Sequence, residues 1–377
     1  MNIKKIDTNT VHFALKSDDW VVVDTRNSNS FIGWCMESEK KKGHIKGATD
    51  FAAEWITFPF ISAWSTKEER IRNIENKFKD KKFLPDMKII LYDTNGTDAE
   101  VVAQYFFERG LQNLYYYNFN DWDGDTTCVD HYEKMVPVQW VKNVIDGKKT
   151  EFYDGGRYKI FEVSETEEPC KEFLEGHIPG STHIWVNEFQ KFPEQCMASD
   201  DVLEEFARNN GITVDTTVII YAMGYTGASH LLALVLEYMG VKNIHCINGS
   251  SHQWLQQNYP VETGFAAKQP VESFGAKIPG NKNIVVKIEE AREIMLETHS
   301  DQLVDMRSWE EYTGVTSGYD YVERAGRIPN TLWCFKEHWY LNPDETMGNP
   351  EEMVDHWKEC GIDLNKRNVF FCGAGAW

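Results

Sequence analysis

The sequence predicts an α/β fold in which one unit recurs three times, each unit a parallel sheet flanked by helices. Three observations carry that expectation. Apolar segments ending in an acid start at residues 21, 159 and 302, which is the self-similarity that marks a repeat architecture. A glycine-led turn follows each segment, and a second apolar strand follows each turn. Helix-periodic stretches lie between the strands, and strands alternating with helices at this spacing argue for parallel pairing.

The first strands read Val21-Val22-Val23-Asp24-Thr25-Arg26, Lys159-Ile160-Phe161-Glu162-Val163-Ser164 and Gln302-Leu303-Val304-Asp305-Met306-Arg307. Their turns read Gly43-His44-Ile45-Lys46-Gly47-Ala48, Gly176-His177-Ile178-Pro179-Gly180-Ser181 and Gly326-Arg327-Ile328-Pro329-Asn330-Thr331. The second strands read Ile89-Ile90-Leu91-Tyr92-Asp93, Val218-Ile219-Ile220-Tyr221-Ala222 and Val369-Phe370-Phe371-Cys372. In the first two copies a helix comes next, Glu100 to Arg109 before Gly110 and Ser229 to Met239 before Gly240, each glycine standing where a helix C-cap wants one. Strands Leu114 to Tyr117 and Ile244 to Ile247 complete those units. A helix within Thr126 to Gly147 leads into the second copy. Residues Glu262 to Asn283, rich in Gly, Pro and Lys, read as an exposed connector to a helix at Ile288 to Glu297. The division expected is 1–130, 131–270 and 271–377.

Composition narrows the functions. With 42% hydrophobic and 13% aromatic residues, 377 residues build two or three cores rather than one. The 59 acidic against 39 basic side chains give a charge of −20, which repels a nucleic-acid backbone. The eight cysteines contain no C-x-x-C pair and show no zinc spacing with the eleven histidines, so neither metal nor organic cofactor is expected. No apolar leader or long apolar run is present, so the expected setting is cytoplasmic, away from membrane.

The rule that open α/β sheets bind ligands beyond their strand carboxyl ends puts Asp93, Ala222 and Cys372 in equivalent crevices. Only Cys372 is a candidate nucleophile. The residues after it, Gly373, Ala374, Gly375, Ala376 and Trp377, are small enough for successive amides to turn inward around a thiolate or a bound anion. Arg307 either joins them as an anion ligand or pairs internally with an acid. His44 and His177 read as turn-stabilising residues, Tyr319 and Tyr321 as aromatic packing, and Cys246 and Cys360 as core.

The D-x-R strand end, the GHIKGA and GHIPGS turns and their tandem repetition resemble the rhodanese homology domain of sulfurtransferases. Leu303 to Gly314, Ser317 to Tyr321 and the final FFCGAGAW are similar to the last domain of three-domain members, where the active cysteine lies. The resemblance implies a thiosulfate or 3-mercaptopyruvate sulfurtransferase. In such an enzyme Cys372 takes a sulfane sulfur from a small anionic donor as a persulfide and passes it to a thiol or cyanide, or to a sulfur-carrier protein. It also implies departures. The family's loop places an arginine where Trp377 stands and the third copy is expected to run past Trp377, so this chain is expected to transfer sulfur weakly or not at all and the longer chain fully. One more loop residue suits phosphatase and arsenate reductase relatives, and two loops without cysteine suit a silent scaffold.

Overall fold

The computed structural model describes residues 3–60, 66–191, 196–224, 227–297, 300–319 and 322–373. The chain divides into two compact units, Met1–Tyr132 with His338–Glu351, and Glu133–Glu337 with Glu352–Trp377. The first unit holds one five-stranded sheet built from β1 (Lys4–Lys5), β2 (Trp20–Asp24), β3 (Thr49–Asp50), β4 (Lys88–Asp93) and β5 (Leu114–Asn118). Its order is β1-β5-β4-β2-β3, with every pair parallel. In the second unit, β6 (Met135–Val136), β7 (Tyr158–Ser164), β8 (Ser181–Trp185), β9 (Thr217–Tyr221) and β10 (Asn243–Ile247) form a parallel sheet of order β8-β7-β9-β10-β6. The same unit holds a three-stranded parallel sheet, β12-β11-β13, from β11 (Asp301–Asp305), β12 (Leu332–Trp333) and β13 (Arg367–Phe371). The topology of the first sheet is thus repeated in the second, and that of its β4, β2 and β3 in the third.

Continuous apolar runs make these strands suited to burial on both faces. In β4, Ile89 and Leu91 enter one core with Phe51, Val102 and Phe106, while Ile90 and Tyr92 enter another with Val11, Phe119 and Trp122. The crossover helices supply the covering faces. The helix after β4, Thr97–Phe107, buries Ala99, Val102, Ala103 and Phe106, and the helix after β9, Gly227–Met239, buries Leu232, Val235, Leu236 and Met239. Gly110 and Gly240 follow with φ of 90° and 98°, which only glycine adopts without strain.

Short elements escaped the sequence pattern. β3 and β12 have two residues each, too few for an alternation to register. The stretch expected as an exposed connector is partly core. Phe274 is fully buried and Ile278 nearly so in the second sheet's cluster, and Gly280 lies against Gly240, its absent Cβ position 2.6 Å from the Gly240 Cα. Two apolar side chains in a polar segment sufficed to draw it inward. Among the described residues, no helix is long and apolar enough to cross a membrane.

At the end of β2, Asp24 is fully buried and meets Arg26, whose Nε and Nη2 lie 3.0 and 2.7 Å from its two oxygens. Arg26 also donates to the Gly43 carbonyl at 2.8 Å and stacks on Phe119, 3.7 Å from the ring centre. Burial opposes the guanidinium's charge, yet Asp24 outweighs it and holds the group protonated. Removing one member of such a pair strands a buried charge. Arg26→Met is therefore expected to destabilise the first unit by about 3–5 kcal/mol, read as a lower urea midpoint for its unfolding. A loss below about 1 kcal/mol, the value of an exposed pair, would show that Asp24 finds other solvation.

Candidate active site

Strand register settles which residues are equivalent. Asp24 lies opposite Tyr92, Glu162 opposite Tyr221 and Asp305 opposite Phe371. The residues one step beyond, Asp93, Ala222 and Cys372, therefore share one place in three sheets. In each sheet it is the carboxyl end of the strand beside the buried acid.

The first copy fills its own cradle. The Asp93 carboxylate accepts from the amides of Asn95 at 2.9 Å, Gly96, and Ala99 at 3.0 Å. Here the amides that an external anion would need are held by a side chain of the chain itself. The second copy has only the Ala222 methyl there, and the Ala222 carbonyl accepts from Ser251 at 2.9 Å. Cys372 in the third copy is half-buried and bears a sulfur. Of the other loop residues assigned to substrate, Gly373 is described, while Ala374, Gly375, Ala376 and Trp377 lie outside the described residues, as does Tyr321.

Arg307 is engaged internally. Its Nη2 lies 2.6 Å from Asp305 Oδ2 and 3.0 Å from the Gly326 carbonyl, with Nε 3.0 Å from Oδ1. It reproduces Arg26, so the ion-pair alternative describes its contacts and the anion-ligand alternative would need that clasp to open. The pair with Asp305 is also what holds the guanidinium charge firmly.

The turn histidines have structural roles. His44 stacks on Phe31 with centroids 3.9 Å apart, and its Nδ1 lies 2.8 Å from the Phe31 carbonyl. His177 repeats this on Phe173 at 4.1 and 2.8 Å. The third copy substitutes Arg327, which sits 4.9 Å over the Tyr312 ring as a cation–π contact. Cys246 is buried, and burial pushes its thiol up to about 12, leaving it inert at neutral pH. Cys360, expected as core, is half-buried at the end of the helix Pro350–Glu359.

Tyr319 is the residue that sequence reasoning undervalued. An ideal Cβ on Gly373 would stand 2.2 Å from the Tyr319 hydroxyl and 2.1 Å from its ring, so the phenol lies directly on the backbone beside Cys372. Gly373 is a glycine for close approach. The segment carrying Tyr319 is braced: Ser308 caps the helix Trp309–Thr313 in a reciprocal box with Glu311, and Ser317 Oγ donates to the Tyr319 carbonyl at 3.0 Å. A tyrosine in a sequence rich in aromatics gives no signal of this, but the glycine opposite it does.

Comparison with known proteins gives consistent matches. The rhodanese-like domain model matches residues 8–124 and 138–257. The thiosulfate sulfurtransferase YnjE of Escherichia coli is 28% identical over 374 residues, covering 96% of this chain and 81% of that protein. An anaerobic ergothioneine biosynthesis enzyme from Chlorobium limicola, solved with its natural substrate trimethyl histidine, is 28% identical with a TM-score of 0.88, covering 100% of this chain and 91% of the other. A variant of EanB solved with a cysteine persulfide and ergothioneine is 27% identical with a TM-score of 0.89, covering 99% and 91%.

The first copy's filled cradle has a measurable consequence. Burial, then the Asp93 and Asp24 charges, push the Asp98 carboxyl from 3.8 up to about 6. A folded value above the unfolded one means that ionised Asp98 opposes folding above about pH 6. The penalty fades as pH falls toward 4, where both states are protonated. Asp98→Asn is expected to stabilise the first unit by about 1 kcal/mol near pH 8, discounted for partial exposure, and not at all near pH 4. Urea midpoints at both pH values check this, and equal gains would remove the carboxylate's charge as the cause.

Proposed function

The chain belongs to the rhodanese family of sulfurtransferases, and from that premise we propose that it carries sulfane sulfur as a persulfide on Cys372. The observation that carries this reading is the register: of three equivalent strand ends, Asp93, Ala222 and Cys372, only the last offers a polarizable atom able to hold sulfur. The proposal keeps the division into 1–130, 131–270 and 271–377, with the first two copies inactive in sulfur transfer.

In the first half-reaction the Cys372 thiolate attacks the outer sulfur of thiosulfate. The sulfur–sulfur bond breaks, and sulfite leaves with its electron pair. With 3-mercaptopyruvate the carbon–sulfur bond breaks instead, and the enolate of pyruvate leaves and is protonated. In the second, an acceptor attacks the outer sulfur of the persulfide and the Cys372 thiolate departs. Tyr319, beside Gly373, is placed to donate a hydrogen bond to the anionic donor or to the departing sulfur. The amides from Gly373 to Trp377 would hold the negative charge.

A second reading concerns the acceptor. Solved structures similar over the whole chain contain trimethyl histidine or ergothioneine, which favours an imidazole carbon as an alternative to cyanide or a thiol. A sulfur-carrier protein as acceptor, and a silent partner-binding role, remain the other readings.

Intact mass spectrometry after incubation with thiosulfate or 3-mercaptopyruvate is expected to show the gain of one sulfur in the wild type, in Cys246→Ser and in Cys360→Ser. The gain is expected to be absent in Cys372→Ser. Tyr319→Phe should retain loading but slow turnover by about 10²-fold, the lower range for a positioned proton donor. Offering the loaded protein cyanide, a thiol or trimethyl histidine separates the acceptors by which one removes the added sulfur. A persulfide that persists in Cys372→Ser would sink the assignment. A wild type that loads from no donor would leave the scaffold reading.

A further inference from the structure

The second unit contains a pair of thiols outside the site just described. Cys334 follows β12 and is fully buried, its amide bonded to the Asp305 carbonyl at 3.2 Å. Cys360 ends the helix Pro350–Glu359 and is half-buried. Both converge on one backbone group. The Cys334 sulfur lies 3.9 Å from the His356 carbonyl oxygen, and the Cys360 amide donates to that oxygen at 2.9 Å. Sharing that one carbonyl oxygen sets the two cysteines side by side. Lys336 stands close enough to favour the Cys360 thiolate. Nothing in the sequence hints at this pairing, since the two are 26 positions apart without a C-x-x-C signature.

The exposures differ in a useful way. A half-buried thiol beside a fully buried one is the arrangement of an attacking and a resolving cysteine: the first meets a reagent, and the second reaches only the first. The pair also has a definite place in the chain. Residues His338–Glu351 belong to the first unit, and Cys334 and Cys360 stand on the two chain segments that flank this excursion. A bond between them would close its base into a loop.

We infer that Cys334 and Cys360 form a second sulfur-reactive site, a dithiol that reduces low-molecular-weight persulfides or polysulfides and closes to a disulfide. The Cys360 thiolate attacks the terminal sulfur of a persulfide RSSH. The S–S bond of the reagent breaks and RSH leaves, giving a Cys360 persulfide. The Cys334 thiolate then attacks the Cys360 sulfur, the Cys334–Cys360 bond forms, and hydrosulfide leaves. The sum is RSSH with two protein thiols giving RSH, one disulfide and hydrogen sulfide. The sulfane sulfur is reduced to sulfide by the two electrons of the dithiol. Neither step uses Cys372, so this chemistry does not depend on the persulfide assigned above. Burial pushes the Cys360 thiol up, so its attack on the reagent quickens with pH beyond the range of an exposed cysteine.

The test uses the full chain, fully reduced, treated with about one equivalent of cysteine persulfide per protein, which matches one persulfide to one dithiol. The treated protein is alkylated, digested without reductant and examined by mass spectrometry. The expected result is a crosslinked peptide pair containing Cys334 and Cys360, short of two hydrogens, with release of sulfide into solution. The crosslink is expected to form equally in Cys372→Ser, which separates this site from the sulfurtransferase reading. In Cys334→Ser the Cys360 persulfide should accumulate, and in Cys360→Ser neither crosslink nor Cys334 modification should form. Recovery of Cys334 and Cys360 as separately alkylated peptides, while the reagent is consumed, would overturn the proposal. So would a crosslink that joins either of them to Cys372 instead.

Discussion

A carboxylate buried at the end of the first long strand of each repeat is the constraint from which the geometry of each crevice follows. Asp24, Glu162 and Asp305 are all fully buried, and an ion removed from water persists only if paired and hydrogen-bonded. Arginine two residues on meets this need in the first and third copies, and its remaining donors reach the carbonyls of Gly43 and Gly326. One ion pair thus fastens the strand end to the glycine turn and shapes the wall of the crevice. The second copy reaches the same end differently. Glu162, one methylene longer, bonds at 2.6 Å to His183 on the neighbouring strand, and no arginine is needed at Ser164.

With the wall fixed, the occupant of the next strand's end decides what the crevice can do. Asp93 supplies an internal anion to amides that the loop would otherwise offer to a ligand, so the first copy's cradle is already filled. Ala222 supplies nothing. Cys372 supplies a sulfur where a carboxylate stands in the first copy. The same backbone therefore serves as a self-satisfied core in one place and as a candidate reaction centre in another.

The fold was legible in the sequence to the extent that periodicity reaches. Long strands such as β4 and β9 and helices such as Gly227–Met239 announced themselves through apolar runs and terminal glycines. Two-residue strands and the burial of Phe274 did not, because a single side chain drawn inward has no period. The equivalence of Asp93, Ala222 and Cys372 was legible, since it depends only on counting from the buried acid. The state of Arg307 was not. D-x-R in the sequence is compatible with a free crevice arginine or a clasped one, and which holds depends on the burial of Asp305. Tyr319 escaped because its contact is with a glycine more than fifty positions away.

That contact bears on how the first copy and the third differ. In the first copy Tyr92 donates its hydroxyl to the buried Asp24 at 2.8 Å, and its oxygen accepts from the Ile45 amide at 3.1 Å. The phenol is spent on the wall of the crevice. In the third copy the same position is Phe371, which has no hydroxyl, and among the described residues Arg307 provides the side-chain donors to Asp305. A phenol does reach the strand end there, that of Tyr319, which comes from the loop and lies on Gly373. A hydroxyl has in effect moved from the buried acid to the backbone beside the cysteine. A phenol bound to Asp24 is fixed by two hydrogen bonds inside the core and has no access to a ligand. A phenol on the loop stands beside the strand end that carries Cys372. The two differences belong together: a phenylalanine at 371 leaves Asp305 paired through Arg307, and a phenol at the loop stands where charge would change in the sulfur transfer proposed for Cys372.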